Sequence, residues 1–331
     1  MAEKKNELPA ILGIGNALVD IMFVLEDEQF LTRFGLPKGS MTLVDSELSA
    51  KIYKAAFPYK NEVTTGGSAA NTIHALAKLG GNCGYLGKIN DDELGRSFKK
   101  EFDEQSVKTH LYYSDKETGR VMALVTPDSE RTMATYLGAA ADLKPTDINA
   151  DDFIRYSVLY IEGYLVQDHN LIEAAIRTAK RNGLKIAIDL SSYNVVEQNL
   201  GFLKRIILDY VDIVFANEEE AKAFTGREPV SALDEIAELC EIAIVKTGKE
   251  GSLLKQGGTV VKVGAVKAKA IDTTGAGDNY AAGFLFGYTK GYTLEKCGKI
   301  ASLVSGKAVE AMGARLPDDA WPGIRQRIGQ M

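Results

Sequence analysis

The sequence predicts an α/β protein: a doubly wound, mainly parallel sheet with helices on both faces, and a small β-sheet lid beside it. Short, continuous β-branched runs alternate with longer amphipathic stretches, as they do in a parallel sheet covered on both faces. Two segments, about 19–44 and 111–137, break that rhythm with the alternation of antiparallel strands. The length of 331 residues suits one large α/β domain with an appendage, so residues 1–331 are expected to form a single domain.

In chain order, strands are expected at Ile11–Gly15, Gly84–Ile89, Val158–Ile161, Lys185–Asp189, Ile213–Ala216 and Ile242–Lys246. Helices are expected between them at Ala69–Leu79, Glu93–Gln105, Leu171–Asn182, Glu218–Phe224 and Ala232–Leu239. After Lys246 the pattern changes to a hairpin, Ser252–Lys255 and Thr259–Val263 around Gly257-Gly258, and then to two long helical stretches near 276–290 and 294–311. The lid segments carry a glycine- and proline-containing turn, Gly35-Leu36-Pro37-Lys38-Gly39, and the alternating runs Val121–Val125 and Met133–Leu137. Such an insertion lies naturally over a site at the carboxyl ends of parallel strands.

With 45% apolar residues a sizeable core is available, and a net charge of −6 argues against a general nucleic-acid binder. Cys83, Cys240 and Cys297 form no C-x-x-C pair, and His74, His110 and His169 show no ligand spacing, which argues against zinc. The apolar run Ile11–Ile14 is too short for a signal-peptide core, and no run reaches membrane-spanning length. A cytoplasmic enzyme, monomeric or homodimeric, without nucleic-acid or membrane partners, is expected.

The chemistry concentrates in Asp272-Thr273-Thr274-Gly275-Ala276-Gly277-Asp278, a glycine-rich turn feeding a small-residue helix. The backbone N–H groups of Gly275, Ala276 and Gly277, with the positive end of the helix dipole, can converge on one anion. A carboxylate beside such a cradle opposes simple anion binding, so Asp278 suggests a base for a hydroxyl that attacks phosphorus. A plain N-cap would use the same residues. Standard nucleotide motifs fail: Gly13-Ile14-Gly15 lacks its third glycine, and no G-x-x-x-x-G-K-[ST] occurs. A second glycine pair, Gly66-Gly67, precedes Ser68 and Asn71 at another helix start, again readable as a ligand approach or a simple cap. Asn16 and Asp20 follow the first strand; an amide and a carboxylate there can grip adjacent hydroxyls of a ribose, or merely shape a turn.

The Asp278 block, with Ala282-Gly283 behind it, resembles the signature of the PfkB (ribokinase-like) family of carbohydrate and nucleoside kinases, and Gly66–Asn71 resembles that family's first signature. The resemblance spans about residues 10 to 317. It implies a ribokinase-like fold and ATP- and Mg2+-dependent phosphorylation of a primary hydroxyl, with Asp278 as base and Gly66, Gly67, Ser68 and Asn71 holding the substrate. Asn217 and Glu220 match an Asn-x-x-Glu motif that orders Mg2+ through water; Glu218 and Glu219 read as an acidic helix start. Thr247, Gly248 and Gly251 resemble the nucleotide loop, where Thr247 and Gly248 would line the ATP ribose and phosphates. Asp272 and Thr274 match positions that coordinate a monovalent cation, K+, and Arg131 resembles a lid arginine that closes over phosphates. Gly15-Asn16-Ala17-Leu18-Val19-Asp20 reproduces the Gly-Asn-x-x-x-Asp pattern of the adenosine-kinase-like branch, as Tyr136–Ala140 and Glu162-Gly163-Tyr164 also suggest. That implies the adenosine 5′-hydroxyl as acceptor, with fructokinase- or ribokinase-like activity as the alternative and a non-catalytic sugar- or nucleotide-binding protein as a remote one. Phe23, Phe30 and Tyr136 are candidates for either a purine face or lid core.

Overall fold

Alternate residues of the central strands are buried on opposite faces, and that sets the layering. Ile11 packs into one apolar cluster and Leu12 into the other. The computed structural model describes residues 10–128 and 130–331; residues 1–9 and Ser129 lie outside the described residues. The strands are β1 (Ala10–Ile14), β2 (Leu18–Val24), β3 (Met41–Leu43), β4 (Lys60–Gly66), β5 (Cys83–Ile89), β6 (Lys108–Tyr113), β7 (Gly119–Val125), β8 (Arg131–Tyr136), β9 (Tyr156–Glu162), β10 (Lys185–Asp189), β11 (Ile213–Asn217), β12 (Ile242–Lys246), β13 (Ser252–Gln256) and β14 (Thr259–Val263).

The large sheet runs β14-β13-β12-β11-β10-β9-β1-β5-β6. From β12 to β6 every pairing is parallel, and the β13–β14 hairpin adds an antiparallel edge. One face carries the helices Ser68–Lys78, Glu93–Glu104, Ala276–Thr289 and Leu294–Ala308, and the other His169–Arg181, Leu200–Tyr210, Glu218–Thr225 and Pro229–Ala237. Strand order reverses between β1 and β9, and the crevice at their carboxyl ends is where such a sheet receives a ligand.

The second sheet runs β3-β8-β7-β2-β4 and is mixed: β2 and β7 are parallel, β2 and β4 antiparallel. Its make-up differs from the two-segment lid of the sequence in two respects. Residues 108–113 pair with β5 and extend the large sheet, because the hydrogen-bonding edge of β5 is open there. Lys60–Gly66 instead joins the small sheet beside β2. That strand carries Lys60, Glu62, Thr64 and Thr65, as suits a polar sheet edge, and so lacks the apolar alternation that identifies a half-buried strand. Phe23 is fully buried with its ring edge-on to Tyr53, Phe30 packs on Phe34, and Tyr136 lies under the Arg120 guanidinium. The first is therefore core of the small sheet. Among the described residues, no helix is long and apolar enough to cross a membrane.

Candidate active site

Two helix N-termini meet at the switch crevice. The helix Ser68–Lys78 begins after Gly67, whose φ of 96° lies where side chains are strained and whose absent Cβ would overlap the Asn16 carbonyl oxygen. The helix Ala276–Thr289 begins after Gly275, also left-handed at φ 71°, with the Ala314 backbone where a Cβ would stand. Between the two starts lies Asp278. Ser68 Oγ donates to its Oδ1 at 2.7 Å, and Asn71 Nδ2 donates to its Oδ2 at 3.0 Å. Thr72 Oγ1 donates to the Asp278 backbone carbonyl at 3.2 Å. Burial raises the Asp278 pKa to about 6, with the bonds from Ser68 and Asn71 acting the other way. The carboxyl thus holds a proton more readily than an ordinary aspartate yet is ionised at neutral pH.

The sugar-side candidates are fixed by a residue whose role the sequence did not show. Glu162, at the end of β9 and 1% exposed, accepts from Asn16 N at 2.9 Å, Asn16 Nδ2 at 2.5 Å and Ala69 N at 2.9 Å. It joins the end of β1 to the Ser68 helix. Burial pushes its pKa up to about 7 against those three hydrogen bonds. One N–H of the Asn16 side-chain amide is therefore committed to Glu162, leaving the other and the carbonyl oxygen for a ligand. Asp20 lies against Gly66, where any Cβ would overlap its carboxylate. Among the described residues it accepts no hydrogen bond; burial raises its pKa to about 6, and the positive charges of Arg315 and Arg131 oppose that rise.

On the phosphate side the structure departs from expectation at Ala276. Its N–H donates to the Thr273 carbonyl at 3.1 Å and so closes the turn, leaving Gly275 and Gly277 as the N–H groups without a backbone acceptor among the described residues. Lys246, at the end of β12, reaches to 3.2 Å from where a Gly277 Cβ would stand and donates to Asp189 Oδ2 at 2.9 Å. Burial works against its charge, but Asp189 and Glu220 beside it hold its pKa above the usual lysine range. Asn217 and Glu220 form a reciprocal capping box: Asn217 Oδ1 accepts from Glu220 N, and Glu220 Oε2 from Asn217 N, each at 2.8 Å. Asn217 Nδ2 also donates to Glu220 Oε1 at 2.8 Å, so each carboxylate oxygen already has one partner. Thr247, Gly248 and Gly251 form one tight turn after β12, closed by Thr247 N donating to the Gly251 carbonyl at 2.8 Å.

Arg131 does not lie on Asp278. Its Nη1 pairs with Asp272 Oδ2 at 3.0 Å and contacts Thr274 Oγ1 at 3.3 Å. Asp272 Oδ1 in turn accepts from Thr274 N and Oγ1, and Oδ2 from Gly313 N at 2.8 Å. Despite burial, these hydrogen bonds and the Arg131 charge hold the Asp272 carboxyl below its usual range. A cleft of about 230 Å³ opens beside this pair, between the small sheet and the anion turn. Glu162, Lys246, Asp189 and Arg315 are the site residues that sequence reasoning did not assign. The strand ends after apolar runs carry three of them, and that position was the available signal.

A family model described as pfkB family carbohydrate kinase matches residues 58–321. Among solved structures, the adenosine kinase from Sinorhizobium meliloti superposes with a TM-score of 0.86 at 37% identity, covering 97% of this chain and 100% of that one. A probable sugar kinase from Rhizobium etli CFN 42 superposes with a TM-score of 0.85 at 34% identity, covering 98% and 99%. Adenosine kinase 2 of Arabidopsis thaliana is 24% identical over 345 residues, which cover 96% of this chain and 99% of the relative.

Removing the Glu162 carboxylate leaves two buried backbone N–H groups without acceptors. Glu162→Ala is expected to cost about 2 kcal/mol or more in chemical denaturation, and Glu162→Gln, which keeps an acceptor oxygen, distinctly less. Equal losses in the two variants would show that packing, not hydrogen bonding, is what Glu162 supplies.

Proposed function

The chain belongs to the pfkB carbohydrate kinase family, and we propose that it transfers the γ-phosphoryl group of ATP to the 5′-hydroxyl of a nucleoside, adenosine foremost. That it is a kinase of nucleosides or sugars follows from the family and its relatives. The observation that carries the finer reading is Asp20: a half-buried carboxylate that accepts no hydrogen bond among the described residues, near Asn16 and the Ser68–Asn71 helix start, offers two acceptor oxygens to a diol. The likeness to the Sinorhizobium meliloti adenosine kinase supports it.

In this reading Asp278 takes the proton from the acceptor hydroxyl as its oxygen bonds to the γ-phosphorus. The bond from that phosphorus to the β–γ bridging oxygen breaks, and ADP leaves. Ser68 and Asn71 hold the base in place, while the N–H groups of Gly275 and Gly277 and the Ala276 helix start face the charge that builds on the transferred group. Lys246 adds a fixed positive charge beside Gly277. Thr247, Gly248 and Gly251 would border the nucleotide. Mg2+, when bound, would neutralise phosphate charge, and the oxygen donors Glu220, Asn217 and Asp189 fit a hydrated hard cation that keeps its waters. Closure of the small sheet would keep water from the phosphoryl group.

Asp278→Asn is expected to lower kcat by about 10²–10⁴-fold while ATP and nucleoside still bind, as calorimetry would show. In the wild type, protonation of Asp278 removes the base, so kcat/KM should fall about tenfold per pH unit below about 6 and level off above it. A profile flat down to pH 5 would take Asp278 out of proton transfer.

For substrate class, adenosine should surpass fructose and ribose widely in kcat/KM, the 2′-deoxy analogue should be about tenfold poorer or worse, and Asp20→Ala should erase that difference. Efficient turnover of free sugars with adenosine inert would establish a sugar kinase, the reading that the Rhizobium etli neighbour favours.

Potassium is a further proposal. The Asp272 carboxylate and Thr274 hydroxyl suit a monovalent cation in kind, but Arg131 already neutralises Asp272, so the set fits one only with Arg131 turned away. Potassium is expected to raise the rate over a bulky organic cation at equal ionic strength; indifference would mean that Arg131 keeps the position.

A further inference from the structure

Arg315 lies outside every motif considered above, yet its guanidinium lies against Asn71, in the helix start that holds Asp278. Its side chain is 10% exposed. Nη1 is ion-paired with Glu101 Oε1, and Nε points at Asn71 Oδ1 at 3.4 Å, on the far side of the amide from the Nδ2 that holds Asp278. Arg315 thereby sets which way the Asn71 amide faces. Glu101 uses its other oxygen to accept from Thr65 N at 3.2 Å, in the strand next to Asp20: Thr65 pairs with Val19, and Thr64 with Asp20. One carboxylate thus ties the guanidinium to the small sheet.

Two groups in this arrangement lack a protein partner. Arg315 Nη2 is enclosed and donates to nothing among the described residues. Asp20 accepts nothing, and although each acts on the other's charge, the two form no ion pair. An enclosed guanidinium N–H left unbonded is costly, and a direct Asp20–Arg315 pair would have satisfied both groups. The group that fits between a lone acceptor and a lone donor must itself donate and accept. A hydroxyl does both; an anion or a cation would serve only one side.

We propose that Arg315 contacts the substrate, donating from Nη2 to the same sugar hydroxyl that donates to Asp20, and that Glu101 is its positioning residue. This rests on the reading of Asp20 as the residue that grips the sugar hydroxyls. Specificity for that hydroxyl then comes from a pair of opposite charges held apart, since a substrate lacking it leaves both unpaired.

The test is a double-mutant cycle on hydroxyl discrimination. For wild type, Arg315→Met, Asp20→Asn and the double variant, kcat/KM is measured with adenosine and with its 2′-deoxy and 3′-deoxy analogues. One analogue should be about tenfold or more poorer for the wild type; in Arg315→Met that ratio should shrink to about threefold or less, chiefly through KM, with the KM for ATP unchanged. The double variant should discriminate no less than either single one. A folded Arg315→Met that keeps the full ratio overturns the proposal. Should that variant fail to fold, Arg315→Lys and Glu101→Gln decide by the same ratio: its retention in both overturns the proposal, and its loss supports it. Should adenosine be inert and a free sugar turn over, the nucleoside reading fails, and the ratio is read with that sugar and its deoxy forms, where Arg315 stands or falls separately.

Discussion

The site depends on the cost of desolvating one half-buried carboxylate between two helix starts. Asp278 would be untenable there if it faced only backbone and apolar groups, because desolvation disfavours its charge. Ser68 and Asn71 each give it a hydrogen bond, the two dipoles point positive ends toward it, and Lys246 lies nearby. The compensation is partial, so the carboxyl remains a better proton acceptor than a solvated one. The glycines before each helix let other backbone come close: a Cβ on Gly67 would overlap the Asn16 carbonyl oxygen, and one on Gly275 the Ala314 backbone.

Charge compensation also explains why so many motif residues bond one another. Asn217 and Glu220 cap their own helix, Asp272 closes its own turn, and Asn16 is held by Glu162. Each was expected to face a ligand, and each is first engaged with its own neighbours. The two functions are compatible, since a carboxylate oxygen has two lone pairs and a capping bond uses one. A fold that must present polar atoms at strand ends also has orphan N–H groups to satisfy there, and the same residues serve both needs.

The βα alternation was legible because periodicity is a local property: each core strand expected from the sequence is present, displaced by a residue or so at its ends. Lys60–Gly66 was not, since an edge strand rich in lysine, glutamate and threonine has no apolar stripe to betray it. The glycine turns and Asp278 were legible because unusual backbone demands unusual residues. Glu162 was visible only as part of a family-like tripeptide, and Arg315 and Glu101 not at all. Their meaning lies in partners far away in sequence: Glu162 acts on Asn16 and Ala69, and Arg315 on Glu101 and Asn71, at separations no spacing rule spans. Arg131 was expected to close over phosphates; where its guanidinium lies depends on how the small sheet sits, and it meets Asp272.

Only residues 15–17 separate β1 from β2. Asn16 lies within this short link and Asp20 just beyond it, so the large sheet and the small one would each contribute a wall of the proposed site, joined by one stretch of backbone. In the proposed reaction this link would act as a caliper, the angle between the sheets setting the width of the site. Substrate fit and exclusion of water would then be a single mechanical event. A sugar of the wrong span would leave the jaws ajar, and the mismatch would show as ATP spent on water rather than as weak binding alone.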